Sequence, residues 1–278
     1  MVLPLYDERA RKRVSQPYVT WGLVALNVVV FLAALGLPGE AQQKLVQGYG
    51  FTPALLSGDA RIAHGIPVLL TPLTDMFLHL GWDHLLGNML FLMIFGDNVE
   101  DALGHLRYLA FYVACSFASD LAYFLANPHS TVPAVGASGA ISGVIAAYVM
   151  IRPCAKVEVL LVIIPVALSA YWVIGLFALT QVWNVAAHTQ DGVAYWAHIG
   201  GMIAGAALLP LLRHPDVTLF ECVRQADLDI TLTRSLQQKP ADERDPQTSH
   251  TRAAKEPKYT PRNERESHRL ASFRCSPR

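Results

Sequence analysis

The sequence is short of charged residues for its length. Of its 278 residues, 16% are charged and 53% are hydrophobic, whereas soluble globular proteins carry roughly 25% charged residues. The 22 basic and 22 acidic side chains cancel, so the chain lacks the positive excess that attracts nucleic acid. The high apolar content also excludes a wholly disordered chain. With a mean hydropathy of +0.31, the composition indicates a membrane protein.

The few charged residues lie mainly at the two ends of the chain. Residues 1–18 are polar and basic, charged residues are sparse over 19–212, and residues 213–278 are polar again without an apolar period. These changes predict three parts. They are a basic N-terminal segment, a membrane domain and a C-terminal tail that we expect to be disordered. We see no internal repeat.

Six apolar runs in the middle part approach the length of about 20 residues that a membrane-spanning helix needs. They predict an all-α membrane protein, a bundle of six transmembrane helices. The second and fourth runs contain the most polar residues. The predicted spans are Val19–Leu37, His84–Phe95 with about one further turn, Tyr108–Leu125, Ala137–Ile151, Val159–Val182 and Ala194–Leu212.

Lysine and arginine are distributed unevenly over the two sides that six spans would define. One side holds only Lys44 and Arg61. Because positive residues in short loops favour the cytoplasmic side, both termini are predicted to be cytoplasmic, most simply in a bacterial inner membrane. The basic residues on that side are Arg9, Arg11, Lys12, Arg13, Arg107, Arg152, Lys156 and Arg213.

The chain has four cysteines. Cys115 falls within a predicted span, Cys154 at a cytoplasmic helix end, and Cys222 and Cys275 in the tail. Since the cytoplasm keeps thiols reduced, no disulfide is expected.

The second, fourth and sixth spans cross the membrane in the same direction, so their first residues lie at the same depth. His84 and Asn88, four residues apart on one helical face, begin the second span. Ser138 begins the fourth span and His198 the sixth. Polar side chains inside a bilayer are costly and suggest a functional site.

A serine and a histidine brought together form a nucleophile and its general base. Side-chain donors and a free N–H at a helix start could bind the oxyanion that such a reaction creates. Two other interpretations remain open. One is that the serine and the glycines only pack helices together, since both are common packing residues in membrane helices. The other interpretation is a zinc site, although the chain lacks a His-Glu-x-x-His pattern; its ligands would be His79, His84 and His198 with Asp75 or Asp83.

These residues resemble the motifs of the rhomboid family of intramembrane serine proteases. The first motif is Gly81–Met89, preceded by His79 and followed by Phe95–Glu100. The second is Gly136–Gly139 and the third is Ala197–Gly201. The motifs stand in the family's order on the corresponding spans, and the resemblance covers nearly the whole membrane domain.

The resemblance implies that Ser138 is the nucleophile and His198 its general base, without an acidic third member. It also implies that His84, Asn88 and the Ser138 backbone N–H form the oxyanion hole. The resemblance assigns structural roles to four glycines. Gly136 would lie in the loop before the nucleophile, Gly139 follows the nucleophile in the same motif, and Gly201 and Gly205 would let the sixth span pack closely on the fourth.

Two further features concern the ends of the second span. Glu100 and Arg107 resemble a structural polar pair at the cytoplasmic turn after it. The loop Pro38–Asp83 resembles the family's membrane-edged loop beside the active site. Many rhomboids carry a Trp-Arg pair in that loop, where this chain reads Leu70-Thr71-Pro72-Leu73-Thr74-Asp75.

The sequence therefore predicts an intramembrane serine endopeptidase in the lipid bilayer, with no metal, organic cofactor or nucleic acid. The family resemblance implies single-span membrane proteins as substrates. A non-catalytic rhomboid-like protein that binds membrane proteins is an alternative, although such relatives generally lack the serine or the histidine. A small-solute transporter is another, although the polar residues cluster at one depth. The sequence leaves the oligomeric state open.

Overall fold

The described part of the chain forms eight α-helices, three β-strands and two short 3-10 helices. A computed structural model describes residues 2–7, 13–60, 65–161, 164–189 and 191–222, all of which belong to one unit, Met1–Val223. A second unit, Arg224–Arg278, lies outside the described residues. The elements are β1 (Val2–Asp7), α1 (Tyr18–Leu35), α2 (Gly39–Tyr49), α3 (Pro53–Leu56), the 3-10 helices Val68–Leu73 and Asp75–Phe77, α4 (Trp82–Leu103), α5 (His105–Ala126), α6 (Ser138–Ile151), β2 (Lys156–Leu161), β3 (Ile164–Ser169), α7 (Ala170–Ala186) and α8 (Tyr195–Leu212).

Three of the described helices, α1, α5 and α8, are long and apolar enough to cross a membrane. A fourth candidate is the pair Val68–Phe77 and Trp82–Leu103, which is bent by 87° at the intervening break. Helices α6 and α7 are apolar but shorter, with 14 and 17 residues. The chain is thus a mostly helical integral membrane protein with three or four candidate spans, and the count of six stays a prediction.

The prediction of an all-α chain is wrong, because the three strands form one sheet in the order β1-β2-β3. The antiparallel hairpin of β2 and β3 occupies the first part of the predicted fifth span, Val159–Val182, and the helix begins only at Ala170. Strand β1 pairs antiparallel with β2, from Val2 opposite Leu161 to Asp7 opposite Val157. Hydropathy alone cannot distinguish an apolar strand from an apolar helix.

Helix α4 continues well beyond the predicted end of the second span. The polar residues Asp97, Glu100 and Asp101 lower the hydropathy after Phe95, but the helix runs on to Leu103. Glu100 and Asp101 are buried, so a low hydropathy here marks internal polar contacts and not the end of the helix.

Glu100 binds the N-terminal end of α1. One carboxylate oxygen accepts hydrogen bonds from the Val19 N–H at 3.0 Å and from His105 Nδ1 at 2.5 Å. The other accepts from the Thr20 N–H at 2.8 Å and the Thr20 hydroxyl at 2.7 Å. The first N–H groups of a helix have no partner within the helix, and the positive end of the helix dipole favours a carboxylate. Glu100 therefore ties α4 to α1.

The expected pairing of Glu100 with Arg107 is not the contact that either side chain makes. The Glu100 oxygens are occupied by α1 and His105. The Arg107 guanidinium instead donates to the Leu212 carbonyl at 3.4 Å. Arg107 thus joins the start of α5 to the end of α8.

Helix α6 lies at the centre of the helices, and each residue from Gly139 to Tyr148 is buried. Helix α8 approaches it at two glycines. A Cβ atom on Gly201 would collide with the Gly139 backbone, and one on Gly205 with the Gly143 backbone. At these two positions α8 packs so closely on α6 that only residues without a side chain permit it.

Residues 213–222 pack against the helices, so the predicted tail does not begin at residue 213. The His214 N–H donates to Ala102 O at 3.0 Å and the Phe220 N–H to Met150 O at 2.7 Å. Cys154 and Cys222 form a disulfide with a Cα–Cα distance of 5.3 Å, which corrects the expectation of no disulfide. The rest of the predicted tail lies outside the described residues.

Candidate active site

Ser138 and His198 meet at the starts of two neighbouring helices. Ser138 is the first residue of α6, and His198 is the fourth residue of α8. The His198 Nε2 and Ser138 Oγ atoms are 2.8 Å apart, which is hydrogen-bond distance. Both side chains are half-buried. The close approach of α6 and α8 at their glycines brings these two residues together.

The turn before Ser138 depends on Gly136. Its φ of +115° lies in the region that favours glycine, and its N–H donates to Asp75 O at 2.9 Å. Helix α6 then begins, and its first hydrogen bond across the turn runs from the Ile141 N–H to Ala137 O at 2.9 Å. The N–H of Ser138 precedes that bond, so it is free of intrahelical partners and lies at the positive end of the helix.

His84 and Asn88 of α4 face this turn. A Cβ atom on Gly136 would lie 2.6 Å from the His84 ring and 3.5 Å from Asn88 Nδ2. The amide nitrogen of Asn88 is 3.0 Å from His79 Nε2, and the rings of His79 and His84 are 5.0 Å apart. The structure thus places both predicted oxyanion residues beside the turn that carries Ser138.

These side chains line one cleft of about 970 Å³. Its walls come from α4, α5, α6, α7 and α8 and from the loops before α6 and α8. At the start of α8, the Tyr195 hydroxyl donates to Asp191 at 2.5 Å. This hydrogen bond lowers the pKa of Asp191 and keeps a carboxylate among the lining residues. The cleft is large enough for a peptide segment to reach Ser138.

Gln181 of α7 completes the contacts of His198 and was not among the residues predicted from the sequence. Its Oε1 is 2.8 Å from His198 Nδ1, on the opposite side of the ring from Ser138. Gln181 is 5% exposed. A single glutamine within an apolar run was the available signal, since buried amides need partners.

The loop before α4 is held by polar contacts in place of a Trp-Arg pair. The Thr74 hydroxyl donates to Tyr49 O at 2.7 Å, and the Ser116 hydroxyl of α5 donates to Pro72 O at 3.2 Å. Asp75 is 3% exposed, and its carbonyl accepts from Gly136. The loop is therefore fastened to α2, to α5 and to the turn before the serine.

The alternative of a zinc site is not supported by the described part of the chain. No group of three or more histidine, cysteine, aspartate or glutamate side chains is placed there to hold a metal. The nitrogens of His198 face Ser138 and Gln181, and His79 faces Asn88.

Comparison with known proteins places the chain in a family. The model of the Rhomboid domain matches residues 68–215. The chain is 26% identical to Rhomboid-like protein 11, chloroplastic, of Arabidopsis thaliana over 59% of its length. It is 31% identical to Rhomboid protease GluP of Bacillus subtilis over 48% of its length. It is 34% identical to Rhomboid protein 1, mitochondrial, of Saccharomyces cerevisiae over 46% of its length.

The chain belongs to the rhomboid family, because the domain match covers more than half of it. The aligned regions span 60%, 24% and 38% of those three relatives' own lengths, so this chain covers less than two thirds of each. One of the three is named as a protease and one as rhomboid-like. Family membership therefore supports either an intramembrane protease or a related rhomboid-like function.

Proposed function

We propose that the chain is an intramembrane serine endopeptidase that cleaves membrane proteins in or near a transmembrane segment. The observation that carries this proposal is the 2.8 Å contact between Ser138 Oγ and His198 Nε2 within a cleft of about 970 Å³. A serine hydroxyl is a weak nucleophile unless a base accepts its proton, and His198 Nε2 lies within hydrogen-bond distance of the Ser138 hydroxyl.

In the first step, Ser138 Oγ attacks the scissile carbonyl carbon while its proton moves to His198 Nε2. The new C–O bond leaves a negative charge on the former carbonyl oxygen. When the tetrahedral intermediate collapses, the C–N bond breaks and the Nε2 proton moves to the leaving amine. A water molecule then repeats the sequence on the acyl ester, with His198 as base, and restores the Ser138 hydroxyl.

The oxyanion would be bound by donors that are already in place. The Ser138 N–H lies at the positive end of α6, and His84 and Asn88 face the same turn. Such donors act most strongly on charge that develops in the transition state, in a site with little water. The contact of Asn88 with His79 holds its amide near that turn.

The cleft favours an extended substrate segment over an intact helix. A helix engages each peptide carbonyl in a hydrogen bond, and lipid offers no other donor. A transmembrane substrate must therefore unwind locally before its carbonyl can reach Ser138. We propose single-span membrane proteins as the substrates, because a single helix can enter and unwind without disrupting a bundle.

We further propose that both termini lie in the cytoplasm and that the cleft opens near the opposite face. Arg13, Arg107 and Arg213 contact residues at the ends of α4 and α8 or just after α8, whereas Ser138 and His198 begin α6 and α8. The basic residues thus gather at the end of the bundle opposite the catalytic pair, as the positive-inside rule requires of a cytoplasmic face. Cys154 and Cys222 lie at this same end, so in this orientation they face a compartment that reduces their disulfide.

The test is cleavage of a single-span reporter by the full chain in vesicles. Ser138→Ala and His198→Ala should each reduce turnover to background, and the double variant should be no slower, because the two residues act as one unit. Ser169→Ala, at the end of β3 and away from the cleft, is the matched control. Full turnover by Ser138→Ala would refute the proposal. Reporter binding without cleavage by the wild type would favour a non-catalytic rhomboid-like protein.

A further inference from the structure

We propose that Gln181 is a positioning residue that fixes the tautomer of His198, so that Nδ1 carries the proton and Nε2 is free to accept from Ser138. This inference rests on the proposed function, because the tautomer matters only if His198 acts as a base. It adds a third residue to a pair that the sequence presents as a dyad.

The orientation of the Gln181 amide follows from its neighbours. Its Nε2 donates to the Phe177 carbonyl at 3.1 Å and to the Thr180 hydroxyl at 3.1 Å. A carbonyl oxygen only accepts hydrogen bonds, so the amide atom that faces Phe177 must be the nitrogen. A flipped amide would place two acceptor oxygens against each other. The amide oxygen therefore points to His198.

The tautomer of His198 follows from the orientation of the amide. An amide oxygen cannot donate, so the ring nitrogen at 2.8 Å from it, Nδ1, must carry the hydrogen. A neutral imidazole has one N–H only, and the other nitrogen is then a bare acceptor. That nitrogen is Nε2, which lies 2.8 Å from Ser138 Oγ. His198 Nδ1 thus donates to Gln181, and His198 Nε2 accepts from Ser138.

Burial makes this arrangement persistent. Gln181 is 5% exposed, so water cannot easily replace His198 as its partner, and a buried amide oxygen without a donor is unfavourable. The Phe177 ring also lies 6.3 Å from the His198 ring, centroid to centroid. One turn of α7 thus holds the imidazole by an apolar and a polar contact.

The role of Gln181 persists after proton transfer. When His198 has taken the serine proton, both ring nitrogens carry hydrogen, and Nδ1–H still donates to the Gln181 oxygen. The amide is neutral, so it orients the imidazolium through a dipole, where the aspartate of a Ser-His-Asp triad uses a full charge.

The experiment compares Gln181→Met with Gln181→Glu in the full chain, reconstituted with the single-span reporter. Methionine matches glutamine in length but offers no comparable acceptor, whereas glutamate keeps an oxygen toward Nδ1 whether it is ionised or neutral. We expect Gln181→Met to lower kcat by about 10- to 100-fold, the loss typical when a residue that orients a metal-binding histidine is removed, with KM unchanged. Gln181→Glu should retain at least several-fold more activity than Gln181→Met.

Thermal unfolding is measured on the same preparations, and the Gln42→Met and Gln42→Glu pair serves as control, because Gln42 is a glutamine of α2 outside the cleft. Unchanged kcat in Gln181→Met would overturn the inference. So would equal losses in both Gln181 variants, a loss confined to KM, or a loss that matches the fraction of unfolded protein. A wild type that does not cleave the reporter would instead refute the proposed function.

Discussion

The contact between Glu100 and the start of α1 allows a quantitative prediction about stability. The carboxylate is fully buried and accepts four hydrogen bonds from Val19, Thr20 and His105. Glu100→Gln preserves the shape but converts one oxygen into a donor. If that donor faces Val19, the Val19 N–H loses its acceptor. If it faces Thr20, the Thr20 N–H does.

Either orientation leaves one N–H at the start of α1, partly or fully buried, without a partner, which costs about 1–3 kcal/mol of unfolding free energy. Neutral hydrogen bonds between membrane helices contribute on average only about 0.6 kcal/mol. A larger decrease in unfolding free energy would therefore show that an N–H group has been left without an acceptor. Glu100→Ala removes all four bonds and leaves a cavity, and we expect about 3–5 kcal/mol. Glu158→Gln, on an exposed position of β2, should change stability by less than about 0.5 kcal/mol.

The assay is unfolding by a denaturing detergent, combined with reporter cleavage by the folded fraction. Glu100 lies three helical turns along α4 from Asn88, about 18 Å, so kcat per folded molecule should not change. A Glu100→Gln variant as stable as the wild type would refute the assigned contacts. Normal stability with lost cleavage would show that Glu100 serves the chemistry.

Three more predictions concern other parts of the molecule. Asn88→Ala should lower kcat, with little change in KM or melting temperature. The loss should be smaller than the factor of about 10²–10³ by which a soluble serine protease slows when it loses an oxyanion donor, because other donors share the charge. Gly205→Ala should destabilise the fold by about 1–3 kcal/mol through overpacking, whereas Gly175→Ala, where a Cβ meets open space, should be neutral or slightly stabilising by thermal unfolding. Reducing the Cys154–Cys222 disulfide should leave cleavage unchanged, because α6 separates it from the cleft by about 20 Å; lost cleavage with the reductant would show that the two sites are coupled.

The proximity of Ser138 and His198 could be predicted from the sequence, and their catalytic roles stay a prediction. Both begin an apolar run in which small residues are common, and spans that cross in the same direction bring their starts together. The glycine contacts of α6 and α8 could be predicted for the same reason, since Gly201 and Gly205 are spaced one helical turn apart. These inferences rest on local patterns combined with a simple rule of topology.

Other features depend on partners that are distant along the chain. β1 pairs with a strand about 150 residues later, and no local pattern encodes that pairing. The Cys154–Cys222 disulfide was missed because the charge bias assigned both thiols to a reducing compartment. The sequence predicts Arg107 as the partner of Glu100, but Glu100 instead binds the start of α1. That partner could not be predicted from a local pattern because it lies 80 residues away along the chain.

The most direct test of the central claim is to locate the serine that reacts with a fluorophosphonate. The full chain in vesicles is labelled, digested and analysed by mass spectrometry. The proposed chemistry predicts one adduct, on Ser138, because among the serines that the structure describes only Ser138 has its hydroxyl within hydrogen-bond distance of a histidine nitrogen. It also predicts that His198→Ala abolishes this adduct. The same cleft holds Ser116, Ser119 and Ser142, which serve as internal controls. An adduct on one of these serines, or equal labelling of Ser138 in His198→Ala, would contradict the account.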